Sequence, residues 1–416
     1  MANACGVDFG TSNSTVGWQR PGQSTMLTLE DGKFTLPSVV FFNAEDDAIS
    51  YGRAALVSYL AGHEGRLMRS LKSLLGTSLI DGQTEVNGRA LPFRMLLTHF
   101  IGELKRRAEQ AAGRDVDCAV LGRPVFFVDA DAGADRIAED TLAEVARAVG
   151  FKHISFQYEP IAAAFDYESQ IEREELVLIA DIGGGTSDFS LVRLAPERAG
   201  EVDRRHDILA NGGVHIGGTD FDKYLSLACV MPLLGLGSRL KNQTEVPSSY
   251  YFNLATWHTI NLAYTQKVRA QLQDIHREAA DREKLGRLLD LVDRRAGHWL
   301  ALKVEEGKIA LSDLDRAELQ LDRLASSPVL EIGRLQFEQA IAHLTDSVES
   351  TVADLLRDAG VSAAQIDTVF FTGGSSGVCL LREKIAALVP NARRVEGDLF
   401  GSIGAGLALD ALRKFG

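Results

Sequence analysis

Cysteine is scarce. Cys5, Cys118, Cys229 and Cys379 are the only four in 416 residues, and no two form a Cys-x-x-Cys pair. That spacing argues against a disulfide framework and supplies no zinc-ribbon or thioredoxin-type site. Scattered thiols in apolar surroundings read as packing residues of a reducing compartment, so a cytoplasmic protein is expected. The nine histidines are equally dispersed, without a His-x-x-x-His pair. No run approaches the ~18 apolar residues of a membrane-spanning helix, and Met1 to Asp8 lacks the basic start of a signal peptide. Positive charge is in deficit: 44 Lys plus Arg against 57 Asp plus Glu leave a net charge of -13. Such a surface repels phosphate backbones and anionic lipid, so neither nucleic acid nor a membrane is an expected partner. A Walker P-loop and a Gly-x-Gly-x-x-Gly fingerprint are both missing, which removes those nucleotide folds.

What is present is an ordinary globular composition, 45% apolar and 24% charged, at a length that suits two or three domains. Strand character at Cys5 to Phe9 and Thr15 to Trp18 flanks a Gly-Thr-Ser-Asn turn. Strands at Met26 to Leu29 and Pro37 to Phe42 flank an Asp-Gly hairpin loop. Helical patterns are expected near 52–61, 64–74 and 93–112, then a strand at 117–121, a helix near 135–149, a strand at 154–158 and a helix at 160–169. Leu176 to Ala180 is a continuous apolar run that suits a strand buried on both faces. Strand is expected again at 203–210 and a helix after Gly217, with 235–255 irregular. A long helix from about 281 to 311 carries Leu285, Leu288, Val292, Trp299 and Leu300 at helical spacing, a core stripe. Strands near 317–322 and 328–332 and helices at 335–357 and 400–415 complete the chain.

The buried run leads into Asp181-Ile182-Gly183-Gly184-Gly185-Thr186-Ser187-Asp188, followed by more strand. The N-terminus does the same with Asp8-Phe9-Gly10-Thr11-Ser12-Asn13, nearly half a chain length earlier. Such an echo predicts two similar lobes, each a mixed sheet with helices on both faces. A third glycine turn occurs at Thr372-Gly373-Gly374-Ser375-Ser376. Glycine lets backbone N–H groups approach a ligand oxygen, and successive N–H groups form an anion-binding concavity. Two such turns can hold a polyphosphate from both sides, with hydroxyls from Thr11, Ser12 and Thr186. Asp8, Asp181 and Asp188 would surround a hard cation, Mg²⁺ held largely through its waters. One glycine turn alone would be an ordinary capped hairpin; three with strand-borne Asp favour a site.

These motifs resemble the nucleotide-binding unit of the actin-like ATPase superfamily, and specifically the heat-shock protein 70 (DnaK-like) family, most closely its short bacterial YegD-type members. Gly6 to Ser14 is similar to the family's first phosphate loop and Asp181 to Asp188 to its second. Leu71 to Gly76 is similar to the segment of its catalytic lysine, Pro124 to Phe127 to its hinge proline segment, and Glu159 to Ala164 to its Glu-Pro-x-Ala-Ala-Ala connection. Gly217-Gly218-Thr219-Asp220-Phe221-Asp222, Glu305 to Ser312 and Gly373 to Ser376 follow its later motifs. The resemblance runs from residue 5 to about 410. It implies an α/β, ribonuclease H-like, actin-like ATPase fold of two lobes around a cleft for ATP or ADP with Mg²⁺. Lobe I would comprise 1–170 and 396–416, and lobe II 171–395, with an enlarged helical subdomain at about 223–312.

The same resemblance implies roles. Asp8 and Asp181 would hold the Mg²⁺ waters, with Asp188 and Glu159 beside the attacking water. Thr11 and Thr186 would contact phosphate oxygens and Lys72 would steady the γ-phosphate. Gly10, Ser12, Asn13, Gly183, Gly184, Gly185, Gly217 and Gly218 would line the phosphates. Glu305, Lys308, Ser312, Gly373, Gly374, Ser375 and Asp398 would hold the adenosine. Ile309 and Gly377 stand where the family has two adenine-flanking arginines, a loss of about 1 kcal/mol each. The chain stops at Gly416, so the family's linker and peptide-binding β-sandwich are not expected. The leading expectation is a slow Mg-dependent ATPase whose lobes close, with a chaperone-related role. A non-catalytic nucleotide-sensing scaffold is the alternative, then a small-molecule kinase; a filament-forming actin relative is disfavoured by Glu305 to Ser312. Segment 235–300 or the lobe surfaces are candidate protein-partner sites.

Overall fold

The computed structural model describes residues 3–128, 131–168, 170–201, 204–324, 326 and 328–416. Contacts divide the chain into two compact units, 1–217 with 348–376 and 381–416, and 218–347 with 377–380.

The first unit contains two five-stranded sheets of identical topology. In the first, β1 (Ala4–Asp8), β2 (Asn13–Gly17), β3 (Thr35–Pro37), β4 (Cys118–Arg123) and β5 (His153–Tyr158) lie in the order β5-β4-β1-β2-β3. In the second, β6 (Glu175–Ile182), β7 (Ser187–Leu194), β8 (Ile208–Val214), β9 (Thr368–Thr372) and β10 (Arg393–Glu396) lie in the order β8-β7-β6-β9-β10. In each sheet the first three strands meander antiparallel and the last two add parallel to the first. The central strands β1, β6 and β9 are buried throughout or nearly so, which explains their unbroken apolar runs. The sequence echo is therefore a structural duplication: Asp8 faces Thr15 across β1 and β2, and Asp181 faces Asp188 across β6 and β7.

Helices Glu159–Glu168 and Ser402–Phe415 pack on each other, and the latter covers β1. Ala162, Ala163, Ala164 and Leu407 join Val120, Ile179 and Phe370 in one core cluster. A second cluster packs Val7, Phe9 and Leu36 against Phe100 and Leu104 of helix Phe93–Ala112. The closing helix thus returns to the first sheet.

Three local expectations are corrected. Residues 64–74 are not a helix. Gly65–Arg69 is a strand paired antiparallel with Val39–Asn43, and Ser70 in the left-handed region (φ 58°) separates it from one 3-10 turn at Leu71–Leu74. Met26 to Leu29 makes only an isolated bridge to Gly17, while 37–42 contributes to two different sheets. The helix expected over 281–311 is two helices, Arg282–Asp293 and Gly297–Asp313. Arg295 takes a left-handed conformation (φ 51°) and the Ala296 N–H reaches back to Leu291 O, a helix-ending geometry. The Gly297 N–H then donates to the Tyr264 hydroxyl at 2.8 Å.

In the second unit helix Gly297–Asp313 packs on the hairpin of Arg316–Gln320 and Val329–Gly333 and on helix Gly218–Leu225, while helix Gln266–Glu278 packs on Arg282–Asp293. The expected stripe of Leu285, Leu288, Val292, Trp299 and Leu300 is buried. Segment 235–255 contains one short helix, Ser249–Leu254. Strand β8 begins at Ile208, later than expected, and residue 203 of the expected 203–210 strand lies outside the described residues.

Candidate functional site

Within the first unit, four carboxylates and one amine are buried together: Asp8, Glu159, Asp181, Asp188 and Lys72. Each arrives on a different element. Asp8 ends β1, Asp181 lies one residue from the end of β6 and Asp188 is the second residue of β7. Glu159 opens its helix immediately after β5, and Lys72 sits on the 3-10 turn that follows Ser70. Lys72 Nζ pairs with Glu159 Oε1. Asp188 Oδ1 accepts from the Val125 N–H at 2.7 Å. Asp181 Oδ1 and Asp188 Oδ2 are buried without a hydrogen-bond partner.

Four carboxylates against one ammonium cannot all be charged cheaply in a low-dielectric interior. Burial first, and then the charge of Glu159, pushes the Asp8 and Asp188 carboxyls each up to about 7. Asp181 is raised well above the usual carboxylate range by burial and by Glu159, Asp188 and Asp8. Burial alone would lower Lys72, but attraction to Glu159 and Asp8 reverses this and holds the ammonium above its ordinary range. The unpartnered oxygens and the negative excess fit a hard cation carrying its own water shell. Among the described residues no group of three or more His, Cys, Asp or Glu is arranged to ligate a metal directly.

The two glycine turns interlock beside this cluster. A Cβ on Gly184 would lie 2.3 Å from Ser12 Oγ, and one on Gly185 would lie 3.0 Å from Thr11 Oγ1. Gly217 approaches the same turn so closely that a Cβ there would fall 2.6 Å from Gly185 N. The Gly183 N–H donates to Thr186 O at 2.9 Å and closes the second turn, while Gly10 O accepts from Ser38 Oγ at 2.7 Å. Gly373 has φ +80°, and a side chain there would meet Asp181 Oδ1 at 2.5 Å, so the third turn abuts the same carboxylate. Asn13 starts β2 and lies opposite Pro37 in the register with β3, next to the Ser38 N–H bond to Ser12 O at 2.9 Å. Gly374 and Ser375 follow on a 3-10 turn.

The remaining predicted residues occupy other settings. In the second unit, buried Lys308 pairs with Asp222 Oδ1 at 2.9 Å and donates to Gly218 O at 3.0 Å. Ser312 is on the same helix as Glu305 and Lys308, and its carbonyl accepts from Cys379 Sγ at 3.4 Å. Ile309 on that helix is 60% exposed. In the first unit, Asp398 caps the turn before the last helix by accepting from Phe400 N at 3.1 Å.

Sequence reading missed the Val125 donor on Asp188 and the left-handed Ser70 that aims the Lys72 turn. It also missed Thr372, which pairs with Asp181 and whose buried hydroxyl has no partner. The Pro-Val-Phe-Phe segment after β4 was the available signal for the first; a left-handed serine carries none.

A family model described as Hsp70 protein matches residues 4–99, 83–231 and 274–411. The chain is 27% identical to the chaperone protein HscA of Citrobacter koseri, over 98% of this chain and 58% of that protein. It is 26% identical to HscA of Escherichia fergusonii and 27% identical to HscA of Shigella boydii serotype 18, with the same coverage. It therefore spans 58% of the length of these relatives. With the duplicated α/β architecture, these matches show that the chain belongs to the Hsp70 family and has its actin-like ATPase fold.

Proposed function

We propose that this chain binds ATP and ADP with Mg²⁺ and hydrolyses ATP slowly, as an Hsp70-type nucleotide switch with a chaperone-related role in the cytoplasm. One observation carries the reading. The buried set Asp8, Lys72, Glu159, Asp181 and Asp188, with two carboxylate oxygens unpartnered, adjoins interlocked glycine turns on duplicated strands.

Phosphoryl transfer depends on positioning and charge neutralisation, for which these groups suit. Asp8 and Asp181 would hold Mg²⁺ through its waters, and the metal when bound neutralises phosphate charge. Asp188 and Glu159 would orient the attacking water and accept its proton. Lys72 would exchange Glu159 for a γ-phosphate oxygen. Thr11 and Thr186 would donate hydroxyls, and the amides of Gly10, Ser12, Asn13 and Gly183 to Gly185, with Gly217, would cradle the phosphates. Gly218 would also line the phosphates, and Glu305, Lys308, Ser312, Gly373, Gly374, Ser375 and Asp398 would serve the nucleoside. The chain's two lobes would be 1–170 with 396–416 and 171–395, with segment 235–300 or the lobe surfaces available to a protein partner. Among the described residues no helix is long and apolar enough to cross a membrane.

A non-catalytic nucleotide sensor is the second reading, favoured by one observation: Lys72 and Glu159, both proposed for hydrolysis, are committed to each other in a buried pair. ATP and ADP titrations with and without Mg²⁺, followed by single-turnover hydrolysis, test both. Mg²⁺-dependent binding with hydrolysis lost in Lys72→Ala supports the switch. Equal rates in the two proteins favour the sensor, and no binding at millimolar nucleotide refutes both.

A further inference from the structure

Arg123 ends β4, and its guanidinium is buried although it lies outside the carboxylate cluster. Nε donates to Pro124 O at 3.0 Å and Nη2 to Val125 O at 3.3 Å. Nη2 also pairs with Asp135 Oδ2 at 2.7 Å, and Nη1 pairs with Glu139. Both carboxylates are on helix Ala132–Ala148. The other oxygen of Asp135 accepts from the Phe127 N–H at 2.5 Å. Cζ lies 5.2 Å from the ring centre of Phe127 and 5.2 Å from that of Tyr158.

These contacts converge on two groups of the cluster. The first is Asp188. Pro124 has no N–H, so the Val125 N–H is the first donor after the strand, and it points at Asp188 Oδ1 at 2.7 Å. Arg123 holds the carbonyls on both sides of that amide's residue pair and so fixes its direction. The second is Glu159. Tyr158, the residue before it, is the cross-strand partner of Arg123 and stacks on it. A planar fork with five donors meets carbonyls, carboxylates and rings together; a lysine has neither the fork nor the flat face. A buried ion pair of this kind adds little net stability over an apolar replacement, whereas its geometry sets orientation.

We propose that Arg123 is a positioning residue for the nucleotide chemistry, acting through the Val125 N–H and Tyr158 to hold Asp188 and Glu159 in register with Lys72. The inference rests on the ATPase reading above, and its test separates the two. Full-chain Arg123→Lys, Arg123→Ala and the milder Asp135→Asn are compared with the unaltered protein. The readouts are single-turnover ATP hydrolysis, ADP affinity and hydrogen exchange at the Val125 amide.

The expected result is a fall in the hydrolytic step of about tenfold in both Arg123 variants, the scale of one misplaced hydrogen bond. ADP affinity is unchanged, Val125 exchange accelerates, and Asp135→Asn gives a smaller effect in the same direction. Unaltered hydrolysis with a protected Val125 amide in Arg123→Ala overturns the proposal. So does a loss of ADP binding in proportion to hydrolysis in Arg123→Lys and Asp135→Asn, the mark of a purely structural role. If the unaltered protein binds no nucleotide, the ATPase reading fails, and Val125 exchange alone then decides whether Arg123 orients that amide.

Discussion

Removing Lys72 and removing Glu159 break the same ion pair, yet the structure predicts very different costs. The two side chains are 8% and 7% exposed, so neither charge is shielded by bulk water. Lys72→Met leaves Glu159 beside Asp8, Asp181 and Asp188 with no cation among them. Breaking a buried pair this way costs about 3–5 kcal/mol, or roughly 6–10 °C in melting temperature for a unit of this size. Glu159→Gln leaves Lys72 with three other carboxylates and removes the charge that, after burial, most raises Asp8 and Asp188. Its cost is expected below about 1 kcal/mol. The double variant Lys72→Met/Glu159→Gln should recover much of the Lys72→Met loss, because the carboxylate that Lys72 paired is then neutral. Thermal and urea unfolding of nucleotide-free protein in chelator, as a double-mutant cycle, measures this. A Glu159→Gln loss equal to that of Lys72→Met, or a strictly additive double variant, would refute the electrostatic account.

Nucleotide-free protein should also lose stability as pH rises from about 4 to about 7 and level off above that. Asp8 and Asp188 have folded pKa values of about 7, above their unfolded values, so the folded state keeps protons that the unfolded chain has released. Stability is then lost on approach to the folded pKa, at up to about 1.4 kcal/mol per pH unit for each group. Asp8→Asn/Asp188→Asn should flatten the slope in the same melting series. Gly184→Ala should weaken ATP binding while leaving the fold intact, because its Cβ would sit 2.3 Å from Ser12 Oγ and force the two turns apart; calorimetric titration gives the comparison, and Ser12→Gly on that background should restore affinity. In the second unit, Lys308→Met should destabilise by about 3 kcal/mol because buried Asp222 loses its cation, with Asp222→Asn as the milder change. Hydrogen exchange in helix Gly297–Asp313 would report it.

The sequence by itself was enough for the duplication. Asp8 and Asp181 each follow an apolar strand and precede a glycine turn, and a strand buried on both faces writes its burial directly into an unbroken apolar run. It also sufficed for Asp8, Asp181 and Asp188, because the glycine turns are local patterns, whereas Lys72 and Glu159 rested on the resemblance of Leu71 to Gly76 and Glu159 to Ala164 to the family's motifs. It misread 64–74, where pairing with Val39–Asn43 overrides a helix-like composition, and 281–311, where a left-handed Arg295, two residues before Gly297, divides the apolar stripe between two helices. Only the tertiary structure decided which partners the charges have. That Lys72 is held by Glu159, that Lys308 is held by Asp222, and that Arg123 aims the Val125 N–H at Asp188 depend on residues far apart in the chain. Periodicity and turn chemistry report each segment's own environment. The proton affinities of the buried carboxylates arise instead from desolvation and from neighbours that only folding brings together.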